Sequence, residues 1–319
     1  MEITIVGGSG YTGRELIRLL EKHPNAGKIT VTSTQYSGKK VKELHPTLQT
    51  NLEFEELNYG KANETDMVFC CTPHTKTLDI VAQLTTKVID LSADYRLKNP
   101  GEYEKYYGVK HTHPELLKDT VYGLPELHRK EIKKARVIAN PGCFPTAIIL
   151  GLKPLMELKP EKIAVDAKTG YSGAGKKSEE TEYQAKLKDN IIPYKAVGHQ
   201  HTPELEQELG MKVGFTPHLL PVERGILATF HVYAEAGAER MKELLEKQYK
   251  KEPFIKLVET PSLQTVNNTN YCEIGGLRED GTGRKVFFSA IDNLIKGASG
   301  QAVQNMNIML GYEETLGLK

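Results

Sequence analysis

A chain of 319 residues fits about two domains, each with room for a core of its own. Forty-two Lys and Arg against 41 Asp and Glu leave a formal charge of +1, which argues against nucleic acid or a membrane surface as the partner. No apolar run approaches the roughly 18 residues of a membrane helix, and 39% hydrophobic with 26% charged residues is an ordinary globular balance. Ile3-Thr4-Ile5-Val6 reads as a strand at the very start, so no cleavable signal is expected. Four cysteines, Cys70, Cys71, Cys143 and Cys272, are too few for a disulfide scaffold, and a reducing, cytoplasmic compartment is expected.

Runs rich in Val and Ile predict strands at 2–6, 28–34, 66–71, 87–91 and 136–139, separated by helical or irregular stretches. That alternation predicts an α/β domain, a doubly wound parallel sheet with helices on both faces. From about Lys162 the pattern changes to longer strand candidates at 163–169, 212–221, 225–234, 271–277 and 285–291, with one amphipathic helix near 238–251. This predicts an α+β second domain with a mostly antiparallel sheet. The boundary is placed just after Pro145, with a helix starting at Thr146, giving domains 1–145 and 146–296. Helical spacing returns over 300–310 through Val303, Met306, Met309 and Leu310.

Gly7-Gly8-Ser9-Gly10-Tyr11-Thr12-Gly13 follows the first strand and opens a helix. Its glycines fit both G-x-G-x-x-G and G-x-x-G-x-x-G, a Rossmann-type phosphate cradle in which the backbone turns tightly and the helix start faces a pyrophosphate. Gly7, Ser9, Gly10, Tyr11, Thr12 and Gly13 are therefore candidate dinucleotide contacts. An NAD site usually carries a carboxylate about 20 residues further on. None occurs between Glu21 and Glu43, where the chain offers Ser33, Ser37 and Lys39 instead. Hydroxyls and a lysine suit a 2′-phosphate, so NADP(H) is the expected cofactor.

Asn140-Pro141-Gly142-Cys143-Phe144-Pro145-Thr146 lies between a strand candidate and a helix. A thiol there feels the positive end of the helix, which favours the thiolate, so Cys143 is the candidate nucleophile. Cys70, Cys71 and Cys272 sit inside apolar or strand-like runs and read as structural. Gly198-His199-Gln200-His201-Thr202-Pro203-Glu204 supplies a base, with Thr202 as N-cap and Pro203 as first helical residue. In an extended stretch His199 and His201 would point the same way, and spacing does not choose between them. His-x-His is also a metal pattern, but nothing nearby completes a zinc signature, and no metal is expected.

These segments, with Ser92-Ala93-Asp94-Tyr95-Arg96-Leu97, Tyr122-Gly123-Leu124-Pro125-Glu126, Ser172-Gly173-Ala174-Gly175, Arg224-Gly225-Ile226 and Asp292-Asn293-Leu294-Ile295-Lys296-Gly297, closely resemble the N-acetyl-γ-glutamyl-phosphate reductase family over essentially the whole chain. The resemblance implies Cys143 as nucleophile, a histidine of the 199–201 pair as acid/base, and a cofactor contact from Asn293. It also implies that 297–319 packs back on the first domain and that the chain forms a homodimer or homotetramer. One departure is Gln200, where the family commonly has Arg. The implied chemistry is attack of the thiolate on an acyl phosphate, loss of phosphate, hydride transfer from NADPH to the thioester, and collapse of a thiohemiacetal with proton donation by histidine. A substrate with a phosphoryl group and an α-carboxylate suggests Arg96, Asn140, Ser172, Gly173, Gly175, Lys176 and Arg224 as contacts. Alternatives are the related amino-adipyl phosphate reductase of lysine biosynthesis, whose substrate rides on a carrier protein, aspartate-semialdehyde dehydrogenase, and a non-catalytic NADPH-binding regulator.

Overall fold

The computed structural model describes residues 1–179 and 185–319, and all of their side chains except those of 176–179. The chain divides into two compact units, Met1–Pro141 with Ala298–Lys319, and Gly142–Gly297. The boundary expected after Pro145 lies four residues beyond the observed one.

The first unit holds seven strands: β1 (Ile3–Val6), β2 (Ile29–Thr32), β3 (Phe54–Glu55), β4 (Met67–Cys70), β5 (Val88–Asp90), β6 (Thr120–Tyr122) and β7 (Val137–Ala139). They pair in the order β3-β2-β1-β4-β5-β7-β6, every pair parallel. A parallel strand covered on both faces needs an unbroken apolar run, and β4, Met-Val-Phe-Cys, is wholly buried. The helix Tyr11–Leu20 buries Leu16, Ile17 and Leu20.

The last helix, Gly300–Leu310, belongs to this unit and is buried although it carries Gln304, Asn305 and Asn307. Buried amides need partners, and the NH2 group of each of the three has one. Asn305 Nδ2 donates to the Gly123 carbonyl at 2.8 Å, and Asn307 Nδ2 donates to the Leu316 carbonyl at 2.9 Å. Just before the helix, Ser299 Oγ donates to the Thr12 carbonyl at 2.8 Å, tying the far end of the chain to the glycine turn.

The second unit holds β8 (Lys162–Gly170), β9 (Ile192–Pro193), β10 (Gly214–Leu220), β11 (Ile226–Tyr233), β12 (Ile255–Val258), β13 (Cys272–Glu279) and β14 (Arg284–Ile291). Their order is β12-β13-β14-β11-β8-β10-β9; β8–β10 and β12–β13 are parallel and the other four pairs antiparallel. Strict alternation along β11 buries Ile226, Ala228, Phe230 and Val232 and leaves Leu227, Thr229, His231 and Tyr233 half-buried. The buried face packs against the helix Cys143–Leu152, where Ser289 Oγ donates to the Ala147 carbonyl at 2.8 Å. A Cβ on Gly151 would lie 2.5 Å from the Phe230 ring, so helix and sheet meet at van der Waals distance.

Two local expectations are corrected. The helix expected from Thr146 begins at Cys143, because Pro145 falls in its first turn, where N–H groups have no partner inside the helix. The segment expected to be extended at 199–201 is a turn, and His201, not Thr202, caps the helix Thr202–Leu209.

Candidate active site

In the first unit, Gly7 has φ +80°, a conformation that favours glycine, and its N–H and that of Gly8 both donate to the Thr32 carbonyl. Gly13 packs its Cα on the Gly8 backbone, since a Cβ there would lie 2.5 Å from the Gly8 oxygen. Gly10 caps the helix Tyr11–Leu20 without any side-chain bond, and a Cβ on it would meet nothing within 4 Å. Open space in front of an uncapped, unacidified helix start is what a pyrophosphate requires, so these residues fit a dinucleotide. At the end of β2, Ser33 is buried and its Oγ accepts the Tyr36 N–H at 3.3 Å, while Ser37 and Lys39 are exposed, with Lys39 Nζ 5.7 Å from the centre of the Tyr36 ring.

Arg96 and Asn140 also lie in this unit, both buried. Arg96 donates from Nε to the Asn140 carbonyl at 2.8 Å and from Nη2 to the Leu91 carbonyl at 3.0 Å. Asn140 donates from Nδ2 to the Ala298 carbonyl and accepts from Asn305. Both side chains thus hold the backbone that runs into Pro141 and Gly142.

In the second unit, Cys143 is the first residue of its helix and is partly exposed. The cap residue Gly142 donates its N–H to Glu204 Oε1 at 2.8 Å, and Glu204 is itself 1% exposed. Beside Cys143, the Phe144 ring meets His199 edge-on at 5.7 Å and His201 at 6.0 Å between centroids. The two imidazoles lie 4.9 Å apart, so the structure gathers both expected histidines around the residue that follows Cys143. His199 Nδ1 accepts the His201 N–H at 3.1 Å, which leaves the proton of a neutral His199 on Nε2. Burial, and then the nearby Lys195 charge, push His199 down to about 4, so this ring is neutral near pH 7. Lys195 Nζ donates to Gln200 Oε1 at 2.6 Å, so a cation stands beside the pair although residue 200 itself is neutral.

A second group in this unit joins other expected residues. Asn293 Oδ1 accepts the Gly225 N–H at 2.7 Å and its Nδ2 donates to Ser172 Oγ at 2.9 Å. Arg224 Nη1 donates to Asp292 Oδ2 at 3.3 Å and to Asn268 Oδ1 at 3.1 Å. Asn293 therefore sits with Ser172 and Arg224. Gly173 packs against Thr169 and Gly175 takes φ +70°. The side chain of Lys176 lies outside the described residues. From Asp292 the chain enters a short π-helical turn, Ile295–Ser299, and the Gly297 N–H bonds back to the Asp292 carbonyl at 2.9 Å. A Cβ on Gly297 would stand 2.8 Å from the Cys143 Cβ, so this turn rests directly on Cys143.

Glu204, Phe144 and Gly297 carry roles that motif reading passed over. Glu204 had a signal, since a Glu three residues after a helix cap usually reaches back to the cap N–H; here it turns to Gly142 instead. Among the described residues no group of three or more His, Cys, Asp or Glu side chains is placed to hold a metal ion, and no helix is long and apolar enough to cross a membrane.

Comparison with known proteins adds to this geometry. Residues 2–135 match a family model described as the semialdehyde dehydrogenase NAD binding domain, and residues 143–293 match the semialdehyde dehydrogenase dimerisation domain. The chain is 47% identical over 333 residues to the N-acetyl-gamma-glutamyl-phosphate reductase of Methanocaldococcus jannaschii and 46% identical over 335 residues to that of Methanococcus maripaludis; each alignment covers 99% of this chain and 97% of the relative. Among solved structures, aspartate semialdehyde dehydrogenase II from Vibrio cholerae superposes with a TM-score of 0.74 at 20% identity. Aspartate semialdehyde dehydrogenase with NADP from Candida albicans gives 0.74 at 19% identity; both cover 97% of this chain and 98% of the other, and at these identities they speak for the fold alone.

Proposed function

Because the chain belongs to the N-acetyl-γ-glutamyl-phosphate reductase family of semialdehyde dehydrogenases, we propose that it is the oxidoreductase that converts N-acetyl-γ-glutamyl phosphate to the corresponding semialdehyde, with phosphate released, in arginine biosynthesis. The observation that carries this reading is Cys143 at the open first turn of a helix, with two imidazoles gathered on the adjoining Phe144.

The Cys143 thiolate attacks the acyl carbon, the carbon–oxygen bond to phosphate breaks, and a thioester to Sγ remains. The positive end of the helix dipole favours the anionic sulfur. Glu204 fixes the start of that helix through Gly142, and Gly297 gives the nucleophile its close backing. His199, its Nδ1 already occupied, can only donate from Nε2, which suits it to the oxygen that becomes negative at each addition. His201 takes the thiol proton before that attack and gives it to the oxyanion of the reduced adduct; it recovers the proton as the carbon–sulfur bond breaks and the aldehyde leaves, while the departing phosphate takes its proton from solvent. Arg224, held by Asp292, and Ser172, held by Asn293, supply a cation and a hydroxyl for the substrate's anionic groups.

Ser9, Gly10, Tyr11, Thr12 and Gly13 would hold the pyrophosphate of a nicotinamide dinucleotide. That group supplies the hydride for the thioester carbon. Ser37 and Lys39, exposed in the segment after β2 that itself carries no carboxylate, favour NADPH over NADH. A second copy of this chain is the partner that a dimerisation domain implies, and four free cysteines suit a reducing cytoplasm.

The purified protein should oxidise NADPH with N-acetylglutamyl phosphate, and in reverse reduce NADP+ with the semialdehyde only when phosphate is present. Turnover with aspartyl phosphate but not the N-acetylglutamyl compound, or a preference for NADH, would overturn the corresponding part of the reading.

A further inference from the structure

The order of the first sheet reverses at β1 and β4, which lie side by side, and in such sheets a ligand crevice opens beyond the carboxyl ends of the strands at that point. The glycine turn after β1 is one wall. The other is segment 71–77, which follows β4. The two walls touch: a Cβ on Gly7 would lie 2.9 Å from Thr72 Cγ2 and 3.1 Å from the Cys71 carbonyl carbon.

This second wall is held in an unfavourable shape. Thr75 has φ +72°, a left-handed conformation that a β-branched residue adopts only when its surroundings impose it. The imposing group is Asp94, which has no exposed surface. Its Oδ1 accepts the Thr75 N–H at 2.7 Å and its Oδ2 accepts the Thr77 N–H at 2.9 Å. Tyr103 donates its hydroxyl to Oδ1 at 2.8 Å.

Asp94 is itself fixed by its backbone. Its N–H donates to Ser92 Oγ at 3.0 Å, and its carbonyl bonds His111 Nε2 at 2.8 Å. Next to it, the Ala93 N–H donates to His74 Nδ1 at 3.0 Å, a second tie between the two loops. The result is a stretch of backbone whose Thr72 and Thr77 hydroxyls are 2.5 Å apart and fixed beside the glycine turn.

We propose that Asp94 is a positioning residue for the dinucleotide: it holds segment 71–77 as the rigid second wall of the crevice without itself touching the cofactor. A preformed wall costs no ordering when the ligand arrives, which is where such a contact acts on affinity. This role rests on the cofactor reading above, and its test separates the two.

The test is Asp94→Asn, read by titration calorimetry with NADP+ and by hydrogen exchange of the free protein. Asparagine keeps the size but offers one acceptor where two N–H groups and a hydroxyl converge. The Kd for NADP+ should weaken by roughly tenfold, the scale of one lost charge-assisted bond. The amides of residues 75 and 77 should exchange faster, while KM for the acyl phosphate and kcat at saturating NADPH stay within about threefold. A Kd unchanged while those amides exchange faster would overturn the role. So would a parallel loss in both KM values and kcat, the mark of general damage. Should Asp94→Asn fail to fold, Tyr103→Phe keeps both backbone bonds and removes one donor; it should weaken NADP+ by about two- to threefold, and an unchanged Kd there has the same adverse meaning. Wild-type protein that does not bind NADP+ would overturn the cofactor reading and this role together, whereas a binding wild type with an unaffected variant overturns this role alone.

Discussion

Replacing Gly297 by alanine tests how closely Cys143 is backed. The new methyl would stand 2.8 Å from the Cys143 Cβ, 3.2 Å from its Cα and 3.3 Å from Ile291 Cδ1. Carbon atoms prefer about 3.5–4.0 Å, so Cys143 and the π-helical turn must separate by about 0.8 Å. The turn is not free to give, because the Gly297 N–H is bonded to Asp292, whose Oδ1 also accepts the N–H groups of Leu294 and Ile295. Overpacking of this kind costs about 1–3 kcal/mol, and displacing a reacting atom by about 1 Å can cost about 100-fold in rate. Gly297→Ala should therefore melt several degrees lower, with kcat down about 100-fold while the Kd for NADP+ stays within about twofold. The assays are calorimetric melting, steady-state NADPH oxidation and dinucleotide titration. Wild-type kcat in a folded variant would refute the claim that this turn fixes the sulfur.

Three further outcomes follow from the same geometry. Gly13→Ala places a methyl 2.5 Å from the Gly8 carbonyl oxygen, backbone against backbone, so the glycine turn must open; NADP+ affinity measured by titration should fall by at least about tenfold, and an unchanged Kd would count against the cradle. His199, buried and held down to about 4 against a usual 6.5, is neutral in the folded chain, so its contribution to stability is largest above about 6.5 and is lost as pH falls toward 4. The stability difference between wild type and His199→Asn should change in favour of the variant by about 1.4 kcal/mol per pH unit across that window, and a difference flat with pH would contradict it. Iodoacetamide should label Cys143 well ahead of Cys70, which is fully buried and whose thiol burial pushes up, as peptide mapping of the folded protein would show; equal labelling of the two would refute the assignment.

Much of the fold was legible because interior strands advertise themselves. The ten strands expected from Val- and Ile-rich runs are β1, β2, β4, β5, β7, β8, β10, β11, β13 and β14. The four passed over, β3, β6, β9 and β12, are the edges of the two sheets. An edge strand pairs on one side only and is kept short, and Phe54–Glu55 or Ile192–Pro193 leaves no periodicity to detect. Similarly, Pro145 drew the expected helix start to Thr146, since a proline reads equally well as a stop before a helix or as part of its first turn. In the candidate site, Cys143 and the histidines could be singled out because helix-start thiols and paired imidazoles have few uses. Arg96 was legible as a cation but not as an anchor for Asn140, and Asn293 was not legible as the link between Ser172 and Gly225. Those bonds join residues 44, 68 and 121 positions apart, and no local spacing encodes them.

Covalent acylation of Cys143 can be read by mixing the protein with N-acetylglutamyl phosphate in the absence of NADPH, quenching in acid and mapping the peptides by mass spectrometry. One acyl group should appear on Cys143, with one phosphate released per site and the adduct lost once NADPH is added. Release of phosphate with no acylated peptide, or an acyl group on another residue, would contradict it.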